Sequence, residues 1–272
     1  DETIIRVHLV PALGDRPLGS IVPADITRLV KQWSQPLAHR TVRRNFGTLR
    51  AILNYAVAND YIARSPARNI TLSRPQPLER PIIDSGAVLR LVNAIGRDHA
   101  PVVLLGAVLG LRWGECAGLR VRNLDFLGGT IAVDEQITRG IAGRAEVGPP
   151  KSDAGKRTMA IPPPLMELLS AHLARRGLTA ADHDALVFSD RAGGPMSYSN
   201  FRERHWNPAC VVSGVGEWKD ERANSRTRRR YIGLTFHDLR RLNATALVAE
   251  GVDIKTTQRR LGHSDIRTTL EV

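Results

Sequence analysis

Apolar residues recur at helical spacing along much of the chain, and their pattern predicts most of its elements. Pro23-Ala24-Asp25 opens a helix that turns Ile26, Leu29 and Val30 inward. A longer helix is predicted from about His39 to Asn59, with Val42, Phe46, Leu49, Leu53 and Ala56 spaced for a buried face. On its flank Arg40, Arg43, Gly47, Arg50 and Asn54 follow the same period. Asp84 is a good N-cap for a helix through Ile95, and Ala100 to Gly110 is apolar all round, as in a buried helix. Thr130 to Val133 and Arg157 to Ile161 read as paired antiparallel strands joined by a Gly- and Lys-rich excursion. Pro162 to Arg175 reads as a helix with proline in its first turn, and Leu186 to Phe188 as a short strand. Further helices are predicted from about Ser197 to Val212, Phe236 to Ala249, Asp253 to Leu261 and Asp265 onward. Ser213 to Gly233 is polar and basic, with Arg226, Arg228, Arg229 and Arg230, and reads as a mobile loop, either solvated or meeting phosphate.

Pro75, Pro77 and Pro81 deny their segment helix or central strand, so residues 74–81 read as a linker. The expected organisation is a helical domain over 1–73 and a mixed domain over 82–272. The fold class is therefore mainly α with a small antiparallel β-sheet. At 272 residues and 42% hydrophobic, the chain can bury a core in each part.

Charge changes the picture. Lys and Arg number 39 against 27 Asp and Glu, a formal +12, which favours a polyanionic partner because neutralised phosphates release counterions. The two cysteines, Cys116 and Cys210, form no disulfide framework or metal-spaced cluster, which fits a reducing, cytoplasmic setting. No apolar run approaches the ~20 residues of a membrane span, and the first residues show no signal pattern, so no membrane partner is expected.

Three segments carry candidate chemistry. Gly110-Leu111-Arg112-Trp113-Gly114-Glu115 ends the buried run with an arginine that Glu115 can orient. In His237-Asp238-Leu239-Arg240 the His and Arg share one helix face, at the edge of the core formed by Phe236, Leu239, Leu242, Asn243, Ala246 and Leu247. Leu261-Gly262-His263-Ser264-Asp265 sets His263 in a turn between helices, after a glycine suited to end the first. Each alone reads equally well as an ion pair, a surface pair or a turn residue. Together, two arginines and two histidines without a metal motif resemble a device that stabilises a pentacoordinate phosphate.

At these residues the chain resembles the tyrosine recombinases, the phage-integrase-like enzymes, whose motifs stand here in order. Pro150-Lys151-Ser152 resembles the β-hairpin position of the family's catalytic lysine, with Lys156 as its rival. Leu9 to Arg16 resembles the start of the family's helical core-binding domain, and Asp84 onward its α+β catalytic domain. The resemblance implies site-specific cleavage and rejoining of DNA through a 3′-phosphotyrosyl intermediate, with no metal and no cofactor. Arg112 and Arg240 would clamp the scissile phosphate and His263 would add a third hydrogen bond. Lys151 would protonate the leaving 5′-oxygen, His237 would assist proton transfer, and Glu115 would hold Arg112. Arg40, Arg43, Arg44 and Arg50 would contact DNA, with the two domains forming a clamp on the duplex. Double-stranded attachment sites, a homotetramer on DNA and an accessory directionality factor are the implied partners of a bacterial or phage-encoded protein.

The family's nucleophilic tyrosine is expected one position past Val272. Tyr55, Tyr61, Tyr198 and Tyr231 lie in the wrong context for it, and Arg241-Leu242 stands where the family often has His-Thr. Two other readings stay open: a recombinase-like protein that binds DNA without cutting, and a type IB topoisomerase-like enzyme.

Overall fold

The computed structural model describes residues 1–73, 83–139, 145–150, 153–223 and 226–262. The chain divides into two units, Asp1–Glu79 and Arg80–Val272. The expected linker lies outside the described residues, as does the helix expected from Asp265.

The first unit is helical: α1 (Glu2–Ile4), a wider helical turn (Ile5–Leu9), α2 (Val10–Leu13), α3 (Pro23–Ser34) and α4 (His39–Ala58). Asp25 fixes the start of α3, accepting the Val22 amide at 3.1 Å and the Arg16 guanidinium at 2.8 Å. The helical stripes then meet as foreseen. Ile26, Leu29 and Trp33 of α3 and Val42, Phe46, Leu49 and Leu53 of α4 are buried in one cluster, which removes their apolar area from water.

The second unit holds α5 (Ser85–Ile95), α6 (Ala100–Val108), α7 (Trp113–Ala117), α8 (Pro163–Arg175), α9 (Tyr198–Phe201), α10 (Asn207–Val212), α11 (Phe236–Ala249) and α12 (Ile254–Leu261). Asp84 Oδ1 accepts the Ala87 amide at 2.6 Å and starts α5. The apolar α6 has no polar side to leave in water, so it packs against α5, α8 and α11 at once. Among the described residues the strands form three antiparallel sheets. One is β1 (Leu124–Asp125), β2 (Thr130–Val133) and β5 (Arg157–Ala160) in that order, with Val133 opposite Arg157. The others are the pairs β3 (Gln136–Arg139) with β4 (Ala145–Gly148) and β6 (Gly216–Ala223) with β7 (Arg226–Gly233).

Three expectations are corrected. The stretch read as a mobile loop is the β6–β7 hairpin. Its register sets Asp220 opposite Arg229, 3.7 Å apart, and Glu221 reaches Arg230 at 2.7 Å. Trp218 and Tyr231 meet edge to face at 5.6 Å, so charged and aromatic cross-strand pairs replace the apolar alternation that would have announced a strand. The segment Leu186–Phe188 is not a strand. It makes one bridge, Leu186 to Arg120, because the partner chain turns off into the helical turn Val121–Asn123. On α11 it is Ala244 that is buried, whereas Ala246 is exposed. The Gly- and Lys-rich excursion also holds β3 and β4, which the sequence reading did not resolve.

Leu105, in the middle of α6, is fully buried, whereas Leu127 in the β1–β2 turn is fully exposed. Urea unfolding should show Leu105→Ala destabilised by about 2–5 kcal/mol and Leu127→Ala changed by no more than about 0.5 kcal/mol. Equal effects would mean that α6 is not the centre of this core.

Candidate active site

The site is built at the ends of helices. Gly110 ends the α6 segment at φ 66°, a left-handed conformation that glycine adopts without strain. A Cβ there would also sit 2.5 Å from Leu261 Cδ2 and 2.9 Å from Asn243 Oδ1, so α11 and α12 close directly on this turn. The turn delivers Arg112 to the N-cap of α7. Its amide donates to Glu115 Oε2 at 2.9 Å and its Nη1 to Glu115 Oε1 at 2.7 Å.

Glu115 is 1% exposed and holds a second arginine that the sequence reading did not single out. Arg157, the first residue of β5, donates from Nη1 to Oε1 at 3.2 Å and from Nη2 to Oε2 at 2.8 Å. Burial pushes the Glu115 carboxyl upward. The hydrogen bonds and charge of Arg157, with those of Arg112, outweigh burial and hold it below its ordinary value.

Arg240 is also 1% exposed, which corrects its expected place at the edge of the core. A buried guanidinium needs acceptors, and among the described residues those of Arg240 include the Gly110 carbonyl at 2.7 Å and the Leu261 carbonyl. Burial, then the nearby charges of Arg112 and Arg157, lower its pKa to about 9, so it still carries its charge at neutral pH.

All three arginines converge on the last carbonyls of α12. Arg157 Nε donates to Arg260 O at 2.9 Å, Arg240 Nη2 to Leu261 O, and Arg112 Nη2 to Gly262 O at 3.3 Å. These carbonyls have no partner within the helix and form its negative end. Gly262 closes α12 in the left-handed conformation, as its sequence position foretold. Three cations now surround one carboxylate in a largely dry place. Such a cluster attracts an anion, and planar guanidinium forks suit phosphate.

The other expected residues fall as follows. His237 is exposed, in the first turn of α11. Asp238 serves the fold: its Oδ2 accepts the Thr235 amide at 2.8 Å and the Thr235 hydroxyl at 2.6 Å, capping α11. Lys151 and His263 lie outside the described residues. Lys156 is exposed beside Arg157, in a groove of about 1030 Å³ that also includes Gly262. Among the described residues no group of His, Cys, Asp and Glu is placed to hold a metal ion, and no helix is long and apolar enough to cross a membrane.

In the first unit, Arg40, Arg43, Arg44 and Arg50 are all exposed on α4. Nothing lies within 4 Å of where a Gly47 Cβ would be, so the backbone is open to close approach there. A groove of about 540 Å³ at the end of α4 adds Arg64 and Arg68 to Arg50 and Asn54. The sequence signal for these two was their position on either side of Ser65-Pro66-Ala67, a turn that points neighbouring side chains outward.

Comparison with known proteins identifies the family. Residues 86–272 match the profile of the phage integrase family, and residues 2–72 that of the phage integrase central domain. The chain belongs to the phage integrase family. It is 27% identical over 268 residues to the prophage phiRv2 integrase of Mycobacterium tuberculosis, covering 94% of this chain and 64% of that protein. It is 26% identical over 277 residues to the integrase of Mycobacterium phage FRAT1, covering 99% and 75%. The chain thus spans less than two thirds of the length of the first of these integrases. Its fold is similar to that of the Tn1549 transposon integrase in complex with transposon right end DNA. The TM-score there is 0.82 at 19% identity, with 99% of this chain and 86% of that one covered. The chain therefore has the integrase fold.

Because the Glu115 carboxyl is held below its unfolded value, its contribution to stability is complete above the ordinary carboxylate range. That contribution fades as pH falls through the folded value. Glu115→Gln should cost on the order of 3 kcal/mol at neutral pH and flatten the acid side of the stability profile. An acid limb unchanged by the substitution would show that the arginine pair does not hold this carboxylate.

Proposed function

We propose that this integrase is a site-specific DNA recombinase that cleaves and rejoins DNA through a 3′-phosphotyrosyl intermediate. The observation that carries the reading is the convergence of Arg112 and Arg240 on the end of α12, immediately before His263. The tyrosine expected just past Val272 attacks the scissile phosphorus through its phenolic oxygen. The bond from phosphorus to the 5′-oxygen breaks, and that oxygen takes a proton from Lys151. Arg112, Arg240 and His263 hold the non-bridging oxygens, so charge that builds on them meets fixed donors. His237 receives or returns the phenolic proton, and Glu115 keeps Arg112 aimed. The phosphotyrosyl bond conserves the energy of the broken linkage, and attack by a 5′-hydroxyl reverses the step.

The same reading gives α4 to the DNA backbone. Arg40, Arg43 and Arg50 share one exposed stripe with Asn54, and Arg44 lies beside it. Its partners are then double-stranded attachment sites in bacterial cytoplasm. A homotetramer on DNA and an accessory directionality factor complete the proposed assembly.

Two measurements test this. In the full-length gene product, Arg112→Lys should lower covalent capture of a nicked attachment-site duplex by about 10²–10³-fold, because an ammonium replaces a fork at the phosphate. Binding to intact duplex should change only a few-fold, and capture at the parental level would remove Arg112 from the chemistry. Separately, fluorescence anisotropy across a salt series should give a steep dependence of affinity on salt. Arg40→Ala and Arg43→Ala should each reduce its slope by about 0.9. An unchanged slope in both would place the stripe away from phosphate.

A further inference from the structure

The β6–β7 hairpin is long for what holds it. Each strand has eight residues, which at about 3.4 Å per residue makes a ribbon roughly 25 Å long. Its inner end is fixed to the core. Gly216 lies opposite Gly233, so closely that a Cβ on Gly233 would sit 2.4 Å from Gly216 Cα. Tyr231 Oη and Trp206 Nε1 both donate to the Leu234 carbonyl, at 2.9 and 2.8 Å, just before α11 begins. Beyond the Trp218–Tyr231 pair the ribbon leaves the core. Lys219, Asp220 and Glu221 point to alternate faces, as do Arg229 and Arg230, and each of the five side chains is more than half exposed. Both faces are therefore in water along this stretch, and a two-stranded ribbon with no apolar face to bury gains little stability by itself.

Its charge shows what the outer half is suited to. The hairpin carries six cations, Lys219 and five arginines, against three carboxylates, Glu217, Asp220 and Glu221. Each carboxylate already has a cation of the hairpin beside it: Lys219 at 3.0 Å, Arg229 at 3.7 Å and Arg230 at 2.7 Å. No Asp or Glu stands between Glu221 and Arg230, so the register sets the excess, Arg222, Arg226 and Arg228, toward the outer end. Balanced pairs would suffice to guard the open strand edges from other chains. An excess of one sign at the end of an exposed ribbon instead suits a polyanion. A two-stranded ribbon also fits the major groove of B-DNA, which is about 12 Å wide.

We propose that the β6–β7 hairpin is a DNA-binding arm that enters the major groove beside the cleaved phosphate, with its outer arginines on the backbone. Because β7 leads directly into α11, which carries Arg240, a duplex held by the ribbon is placed in register with the arginine cluster. The proposal rests on the recombinase reading, which supplies duplex DNA as the partner.

The test uses the full-length gene product on an attachment-site duplex, with dimethyl sulfate footprinting and anisotropy across a salt series. The parental protein should shield guanine N7 atoms, which lie in the major groove. Arg226→Ala with Arg228→Ala should unshield part of them, weaken binding about tenfold at low salt and reduce the salt slope by about 1.8. Replacing Asp220 to Arg229 by Asn-Gly, which keeps the anchored end and supplies a tight turn, should do the same. The same charge removed at Arg191 and Arg204, exposed residues outside the hairpin, should leave the N7 pattern unchanged. A parental footprint and slope in both hairpin variants overturns the proposal, leaves the recombinase reading standing and points the arm at an acidic protein surface. A slope reduced equally by Arg191→Ala with Arg204→Ala overturns it too, because net charge alone then accounts for the loss. A lower slope with every guanine still shielded refutes the groove contact. If the parental protein does not bind the duplex, the recombinase reading falls first and the arm with it.

Discussion

The C-terminal end of α12 is the point on which the site depends. Three successive carbonyls, of Arg260, Leu261 and Gly262, accept from Arg157, Arg240 and Arg112, residues brought from a strand, a helix and a helix N-cap. A helix end buried without partners is costly, and the arginines supply them. In return, the carbonyls fix where each guanidinium lies. Gly262 makes the arrangement possible, since a Cβ at that position would sit 2.8 Å from the Ala154 carbonyl. A shift of α12 by one residue would break all three contacts together, so the helix and the cationic cluster are specified jointly.

That cluster is held against its own repulsion. Taking charges out of water costs several kcal/mol per ion, and one carboxylate cannot balance three guanidiniums. The lowered pKa of Arg240 is the local sign of the imbalance, with burial as its first cause and Arg112 its second. The offset comes from elsewhere. Leu105, Leu109 and Leu111 are wholly buried around the α6 segment, with Phe236 and Leu239 of α11 packed into the same core. Apolar packing thus keeps a charged site assembled before any anion arrives. Electrostatic preorganisation of this kind is what transition-state stabilisation requires, because no donor has to be moved when charge develops.

How legible this was depended on which force made each element. Helices α3, α4 and α11 stood in the sequence because burial writes itself at 3.6-residue spacing, and Asp84 and Gly262 marked the start of α5 and the end of α12 by cap chemistry. The arginines and Glu115 of the motifs were legible through resemblance and spacing. Arg157 was not, for its role comes from the β2–β5 register and from a glutamate 42 positions away, which no local pattern records. The β6–β7 hairpin was missed because its pairing is between charges, so a hydrophobicity pattern reads it as loop. Arg240 was placed at the core edge because it shares a helix face with His237, beside the apolar positions of α11. Its burial is decided by two backbone carbonyls that only the folded chain brings to it.

The three arginines are not equivalent, and their surroundings divide the work among them. Arg157 spends its guanidinium on both Glu115 oxygens and on the Gly155 and Arg260 carbonyls, so it acts as a strut. Arg112 has a side chain 37% exposed, and its contact with Gly262, at 3.3 Å, is longer than the 2.9 Å contact of Arg157 with Arg260. A guanidinium carries five N–H donors in one plane, so Arg112 can keep Glu115 on one edge and turn another to a phosphate. Arg240 lies deeper, tied to Gly110 and Leu261, and its charge bears on the site through a medium that screens it poorly. Glu115 is therefore the hinge of the design. By holding the strut and the exposed arginine with one carboxylate, it converts a packed sheet and helix end into a fixed direction for Arg112.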